Sequence, residues 1–333
     1  MHIKVQNTSY VHFLDDLPAA ERPEAGGKAG TLARLCQAGY PVPDGFVILP
    51  TAFAGDELAA EAWSQVQTYV AAMRARPPAS RQGHAPGDVP FSLAVRSSAL
   101  AEDSAGASFA GEFETVLDVC TDEAIREAVH TVRCSRHSER VRAYAQAQGA
   151  PPDQEMAVIV QRLVPADLSG VLFTADPVSG SQEYMTGNYI AGLGDKLVSG
   201  ETQPHLFQLS RPKGAYDGPP EMKDHAHALF RMARRLERDL GCPQNIEWAR
   251  AGDKLWLLQS RPITTLQGRN PFTGEFNDSL TGDYLWSNVN FGEAVAEVMT
   301  PLSWSVLELT LEEWTLVPSY PPAGNIGGLP YLN

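Results

Sequence analysis

An α+β fold is predicted for this 333-residue chain from three features of its sequence. Apolar residues recur at helical spacing in several segments, and short apolar runs between turn residues mark strands that come in neighbouring pairs. Helices and strands do not alternate in the strict βαβ order of a doubly wound sheet. Hydrophobic residues at 43% and charged residues at 20% are those of an ordinary globular protein, long enough for one large domain or two smaller ones.

The elements follow in order. Leu32, Leu35 and Cys36 place a helix over 30–38, preceded by Gly26-Gly27-Lys28 and stopped by Gly39, Pro41 and Pro43. Residues 45–49 read as a buried strand, and a second helix is expected from about Thr51 to Arg74. The Pro, Gly, Ser and Arg of 76–89 form a surface loop. Strands at 91–97 and 112–119 flank a loop of small residues that holds Gly106 and Gly111. Thr121 caps a helix with Asp122 and Glu123 in its first turn and Ile125, Ala128, Val129 and Val132 on its core face. Strands at 156–164 and 170–174 are expected to pair as a hairpin. Leu229, Met232, Ala233, Leu236 and Leu240 mark a helix that Gly241 and Pro243 end. A last hairpin, 245–249 with 254–259, turns near Gly252.

A net charge of −14 opposes nucleic-acid binding through the overall field. Cys36, Cys120, Cys134 and Cys242 are too scattered for a zinc site or a disulfide framework. No segment has the length and apolarity of a membrane span, so a cytoplasmic location with free thiols is expected.

Three familiar motifs fail on inspection. Gly26-Gly27-Lys28 is not a P-loop, because Arg22 and Ala29 stand where that pattern needs Gly and Ser or Thr. Gly192-Leu193-Gly194 lacks the third glycine of a dinucleotide fingerprint, Leu197 taking its place. The nucleophile elbow is broken at Ala110. What remains is a set of polar residues at strand ends: Arg96, Gln161, Glu247, Gln259 and Arg261. Pairing the last hairpin symmetrically about Gly252 sets Glu247 opposite Leu257, with Gln259 a diagonal neighbour at roughly 7–8 Å. A carboxylate and an amide oxygen there are hard ligands suited to Mg²⁺, and Arg261 on the same face suits a phosphate. An ordinary exposed hairpin face with mixed polar residues is the alternative, and the hairpin taken alone favours it.

Read in order, Gly26-Gly27-Lys28, the segments 41–46, 94–99, 107–111, 169–177, Gly192-Leu193-Gly194, Ile246-Glu247-Trp248 and 259–265 resemble the nucleotide-binding domain of the phosphoenolpyruvate synthase and pyruvate phosphate dikinase family. The resemblance spans about Gly26 to Thr265. It implies a two-lobed ATP-grasp fold over 1–265 that closes on ATP and Mg²⁺. It also implies roles: Lys28 and Arg96 on phosphates, Gly111 and Thr115 near them, Gln161 at the adenine end, Glu247 and Gln259 on Mg²⁺, Arg261 on the phosphates being cleaved. Arg96 and Arg261 would be the catalytic cations. In this family the β-phosphoryl group of ATP passes to a histidine on a swivelling domain and then to a small-molecule acceptor. No Thr-Ser-His segment of the relay type occurs here, so that domain is expected beyond Asn333. Asp195 and Glu112 depart from the family pattern of Glu and Gln. The composition changes after Thr265, which places a linker at 266–283 and the start of a substrate-binding domain at 284–333, an order similar to rifampin phosphotransferases. That order points to a rifamycin acceptor; pyruvate, an acid activated as in prodigiosin-type condensing enzymes, a non-catalytic nucleotide-binding module and an ADP-forming ATP-grasp ligase are the alternatives.

Overall fold

The computed structural model of the chain describes residues 9–76, 91–100, 113–138, 141–142, 155–177, 181–194, 203–263, 299, 303–307, 323–326 and 329–332. Its elements are β1 (Val11–Phe13), α1 (Gly26–Gln37), β2 (Gly45–Ile48), β3 (Phe53–Ala54), β4 (Glu57–Leu58), α2 (Ala60–Ala75), β5 (Leu93–Ala99), β6 (Thr115–Val119), α3 (Asp122–Cys134), β7 (Met156–Arg162), β8 (Leu168–Phe173), β9 (Tyr184–Ala191), β10 (His205–Ser210), β11 (Ala215–Asp217), α4 (Lys223–Leu240), β12 (Gln244–Ala251), β13 (Lys254–Pro262), β14 (Ala323–Ile326) and β15 (Leu329–Leu332). The α+β class is borne out. No helix among the described residues is long and apolar enough to cross a membrane.

Two sheets organise the fold. One has five strands in the order β1-β2-β7-β5-β6, the other six in the order β11-β10-β9-β8-β12-β13. On one face of the five-stranded sheet, Phe46, Val95, Val158 and Val160 pack with Val66 and Val70 of α2 and Ile125 and Val129 of α3. On the other face, Val47 and Ile159 join Leu32 and Leu35 of α1, and that core continues through Ile246, Trp248 and Leu257 of the second sheet to Leu229 and Leu236 of α4. Helix α1 therefore lies in the core shared by both sheets, and its placement fixes one sheet against the other.

Four expectations need correction. The segments at 156–164 and 170–174 are strands but not a hairpin: β7 pairs with β2 and β5, whereas β8 pairs with β9 and β12. The chain between them crosses from one sheet to the other, which pairing rules for adjacent strands cannot foresee. Helix α2 starts at Ala60, not near Thr51, because the preceding residues make a 3-10 turn and the short β3–β4 ladder. The hairpin of β12 and β13 turns on Gly252 and Asp253, since Ala251 pairs with Lys254, and a register shift follows at Glu247/Trp248. Helix α1 begins at Gly26, four residues earlier than apolar spacing shows.

The early start of α1 has a physical cause. Ala25 at the N-cap supplies no side-chain acceptor, but the buried Ser98 of β5 replaces one backbone bond from outside. Ala29 N–H donates to Ser98 Oγ at 2.9 Å, and that hydroxyl donates to the Ala25 carbonyl at 2.7 Å. The serine is thus inserted between the i and i−4 groups of the first turn and ties it to the sheet. Replacing it by alanine leaves two buried backbone groups unsatisfied. Ser98→Ala is expected to cost about 1–3 kcal/mol, seen as a lower midpoint in urea with unchanged slope.

Candidate functional site

The expected site residues fall on both sheets and on α1. Arg96 of β5 lies directly opposite Thr115 of β6, and Ala94 lies opposite Gln161 of β7. Because opposed residues of an antiparallel ladder share a face and alternate residues return to it, Arg96, Thr115, Gln161 and Ser98 all lie on the α1 side. Lys28, half-buried, occupies the first turn of α1 that Ser98 pins. Thr115 is exposed. Gln161 is buried, and its amide nitrogen donates to the Pro43 carbonyl at 3.1 Å. That bond commits the amide to holding the entry of β2.

The corrected hairpin register brings the second group of residues closer together than sequence spacing implies. Glu247 pairs with Gln259 directly, Trp248 with Leu257, and Leu258 is the extra residue of a β-bulge. Glu247 and Gln259 therefore stand side by side, with Arg261 opposite Asn245 two positions along the same face. Trp248 and Leu257 point the other way into the main core.

The bulge also links the two sheets. Arg96 donates from Nη1 to the Leu258 carbonyl at 3.4 Å, so a guanidinium carried by the first sheet ends beside the acid–amide pair of the second. Ala249, Ala251, Trp256 and Leu258, packed with Val164 and Ala166 of the crossing segment, form a small apolar patch. The arrangement combines cations, hard oxygen donors and an apolar wall. Gly111, like Glu112 and Asp195, lies outside the described residues, as do 264–298 with the expected linker.

The donor chemistry fits Mg²⁺. Among the described residues no three His, Cys, Asp or Glu side chains group to cage an ion, and one carboxylate with one amide oxygen is an incomplete shell. Such a shell suits an ion that keeps waters and takes further oxygens from a phosphate chain.

Sequence reasoning missed Asn245 and Asn188. Ladder register carries the Glu247 face across β8 to β9: Glu247 lies opposite Val171, and Val171 opposite Asn188, while Asn245 lies opposite Phe173. The side-chain oxygens of both asparagines are buried without a hydrogen-bond partner among the described residues, and Asn245 is 8% exposed. Strand β9 carries no strong apolar alternation that would have announced it, so the row through Asn188 was invisible beforehand. Asn245 was within reach of prediction, standing two residues before Glu247 on a strand.

Residues 79–217 and 221–274, more than half of the chain, match the family described as pyruvate phosphate dikinase, AMP/ATP-binding domain. Among curated relatives, the prodigiosin synthesizing transferase PigC of Serratia marcescens is 32% identical, the match covering 90% of this chain and 38% of that protein. A rifampicin phosphotransferase of a Streptomyces species is 32% identical over 94% of this chain and 41% of its own length. A probable phosphoenolpyruvate synthase of Archaeoglobus fulgidus is 28% identical over 91% of this chain and 48% of its own. The chain thus spans less than half the length of each.

Proposed function

Because the chain belongs to the pyruvate phosphate dikinase AMP/ATP-binding family, we propose that it binds Mg-ATP at the junction of its two sheets, the two lobes of an ATP-grasp fold. In this reading the bound nucleotide is positioned for transfer of its β-phosphoryl group. The observation that carries this reading is the bond from Arg96 of one sheet to the Leu258 bulge of the other, beside the opposed Glu247 and Gln259.

Each residue then has a task. Lys28 and Arg96 neutralise phosphate oxygens, Thr115 offers a hydroxyl near them, and Arg261 grips the group that departs or transfers. Glu247 and Gln259 hold Mg²⁺, which when bound draws charge from the phosphate oxygens. Phosphoryl transfer requires chiefly in-line placement and charge neutralisation, so no nucleophile is needed in this domain. A histidine nitrogen on another domain attacks the β-phosphorus and displaces AMP, and water cleaves the β–γ anhydride, so that the γ-phosphate leaves as inorganic phosphate and the β-phosphoryl group stays on the histidine. The histidine then phosphorylates a small molecule. A rifamycin is one acceptor, in keeping with the rifampicin phosphotransferases among the relatives; pyruvate and an acid awaiting condensation are the others.

Calorimetric titration of ATP with and without Mg²⁺ tests the binding step, and a folded chain with no Mg-dependent affinity refutes it. Phosphorus NMR of products formed with a histidine-bearing domain tests the transfer: AMP and phosphate support it, ADP alone contradicts it and favours an acyl-phosphate ligase.

Asn245 has a distinct signature. Its oxygen is buried with no hydrogen-bond partner among the described residues, so a ligand group that reaches it can pair with it. Asn245→Ala is expected to leave thermal stability unchanged or slightly raised while weakening Mg-ATP binding severalfold. A parallel fall of both in melting and titration experiments would assign the side chain to the fold alone.

A further inference from the structure

A cavity lies apart from the acid–amide pair, with neither Glu247 nor Gln259 in its lining. It has a volume of about 610 Å³ and lies beside the C-terminal half of α4. Arg211, Arg231, Arg234, Arg235 and Arg238 line it, with Glu237 as the carboxylate on its wall. Four of these arginines stand at i, i+3, i+4 and i+7 on α4, a single helical face, and all four are exposed.

Local ion pairing accounts for only part of this charge. Arg211 pairs with Glu237 at 2.6 Å, and Arg235 and Arg238 share Asp239 at 3.3 Å each. Arg231 and Arg234 have no carboxylate partner among the described residues; Arg234 donates to the Pro212 carbonyl at 3.4 Å and lies over the Phe230 ring. The negative end of the helix dipole favours cations in the last turn, which explains Arg238 but not Arg231, more than two turns back. Guanidiniums spaced in this way repel one another, and they do so in a chain whose net charge is −14. Such a concentration is relieved by an anion.

We propose that this cavity binds a multivalent anion of the pyrophosphate class, with Arg231 and Arg234 as its principal contacts. Arg211 and Arg235 are already held, the first by Thr174 and Glu237, the second by the Ala38 carbonyl and the Tyr40 ring. They form a preorganised wall, while the planar forks of Arg231 and Arg234 provide the paired donors that phosphate oxygens accept. The site is separate from the proposed nucleotide site. α4 packs on the face of β12 that carries Ile246 and Trp248, and Asn245 and Glu247 alternate to the opposite face.

The test uses the chain with Lys28→Ala and Arg96→Ala, which disables the nucleotide site, titrated with inorganic pyrophosphate by calorimetry. One saturable event is expected, weakened at least tenfold by adding Arg231→Gln and Arg234→Gln, two exposed positions whose fold is checked by circular dichroism. ATP that displaces pyrophosphate identifies a diphosphate carried on a nucleotide, and ATP that does not identifies a free one; both are forms of the proposed site. Absence of saturation, binding indifferent to the two glutamines, or equal binding of sulfate and acetate at matched ionic strength overturns it. In the otherwise unaltered chain, Arg231→Gln with Arg234→Gln leaves the Mg-dependent ATP binding that requires Lys28 and Arg96 unchanged, so failure at either site is distinguishable from failure at the other.

Discussion

Glu247→Gln is expected to weaken Mg-ATP binding by about 1.5–3 kcal/mol, roughly a factor of 10 to 100, while ATP without Mg²⁺ binds as before. The substitution keeps the shape but removes the charge and turns one accepting oxygen into a donating NH₂ group. Since Gln259 stands directly across the ladder, the variant leaves two amide oxygens facing the ion, neither able to offset its double charge. Titrations of wild type and variant at several Mg²⁺ concentrations separate metal from nucleotide effects. Equal losses with and without Mg²⁺ would mean that Glu247 serves the nucleotide or the fold, not the ion.

Gly26→Ala is expected to reduce stability by about 3 kcal/mol or more and to lower ATP affinity with it. Gly26 has φ +80°, and an added Cβ would overlap the Ser98 carbonyl and approach Ser98 Oγ to 2.6 Å. The left-handed backbone alone costs an alanine about 1–2 kcal/mol. The overlap adds to this, because backbone on β5 cannot rotate away as a side chain would. Relief requires α1 to move off β5, and Lys28 rides on that first turn. Gly39→Ala is the control: φ is +77° but nothing lies within 4 Å of the added carbon, so it should cost only the conformational part and spare ATP affinity. Chemical denaturation with nucleotide titration of both variants checks the contrast, and equal effects on binding would break the proposed link between the α1–β5 contact and Lys28.

Local signals in the sequence were reliable where the structure depends on local chemistry. Thr121 accepts from Ala124 N–H at 3.2 Å as a helix cap, and Gly241 ends α4 in the left-handed conformation, its N–H reaching Glu237. The polar face of the last hairpin was visible too. Its register was not, because a bulge at Leu258 leaves no mark in an alternation pattern. Nor could spacing show that β7 and β8 belong to different sheets, or that a serine nearly seventy residues away sets the start of α1. These are tertiary decisions, and they govern how Arg96 comes to the bulge. The burial of Asn245 and Asn188 depends equally on neighbours from other strands.

The proposed convergence of Lys28 and Arg96 with the acid–amide pair of the second sheet is best tested by crystals grown with ATP and Mn²⁺ in place of Mg²⁺. An anomalous peak bound by Glu247 and Gln259, with phosphate oxygens between that ion and Lys28, Arg96 and Arg261, is the predicted result. A metal peak or a nucleotide located elsewhere, with these side chains facing solvent, would contradict it.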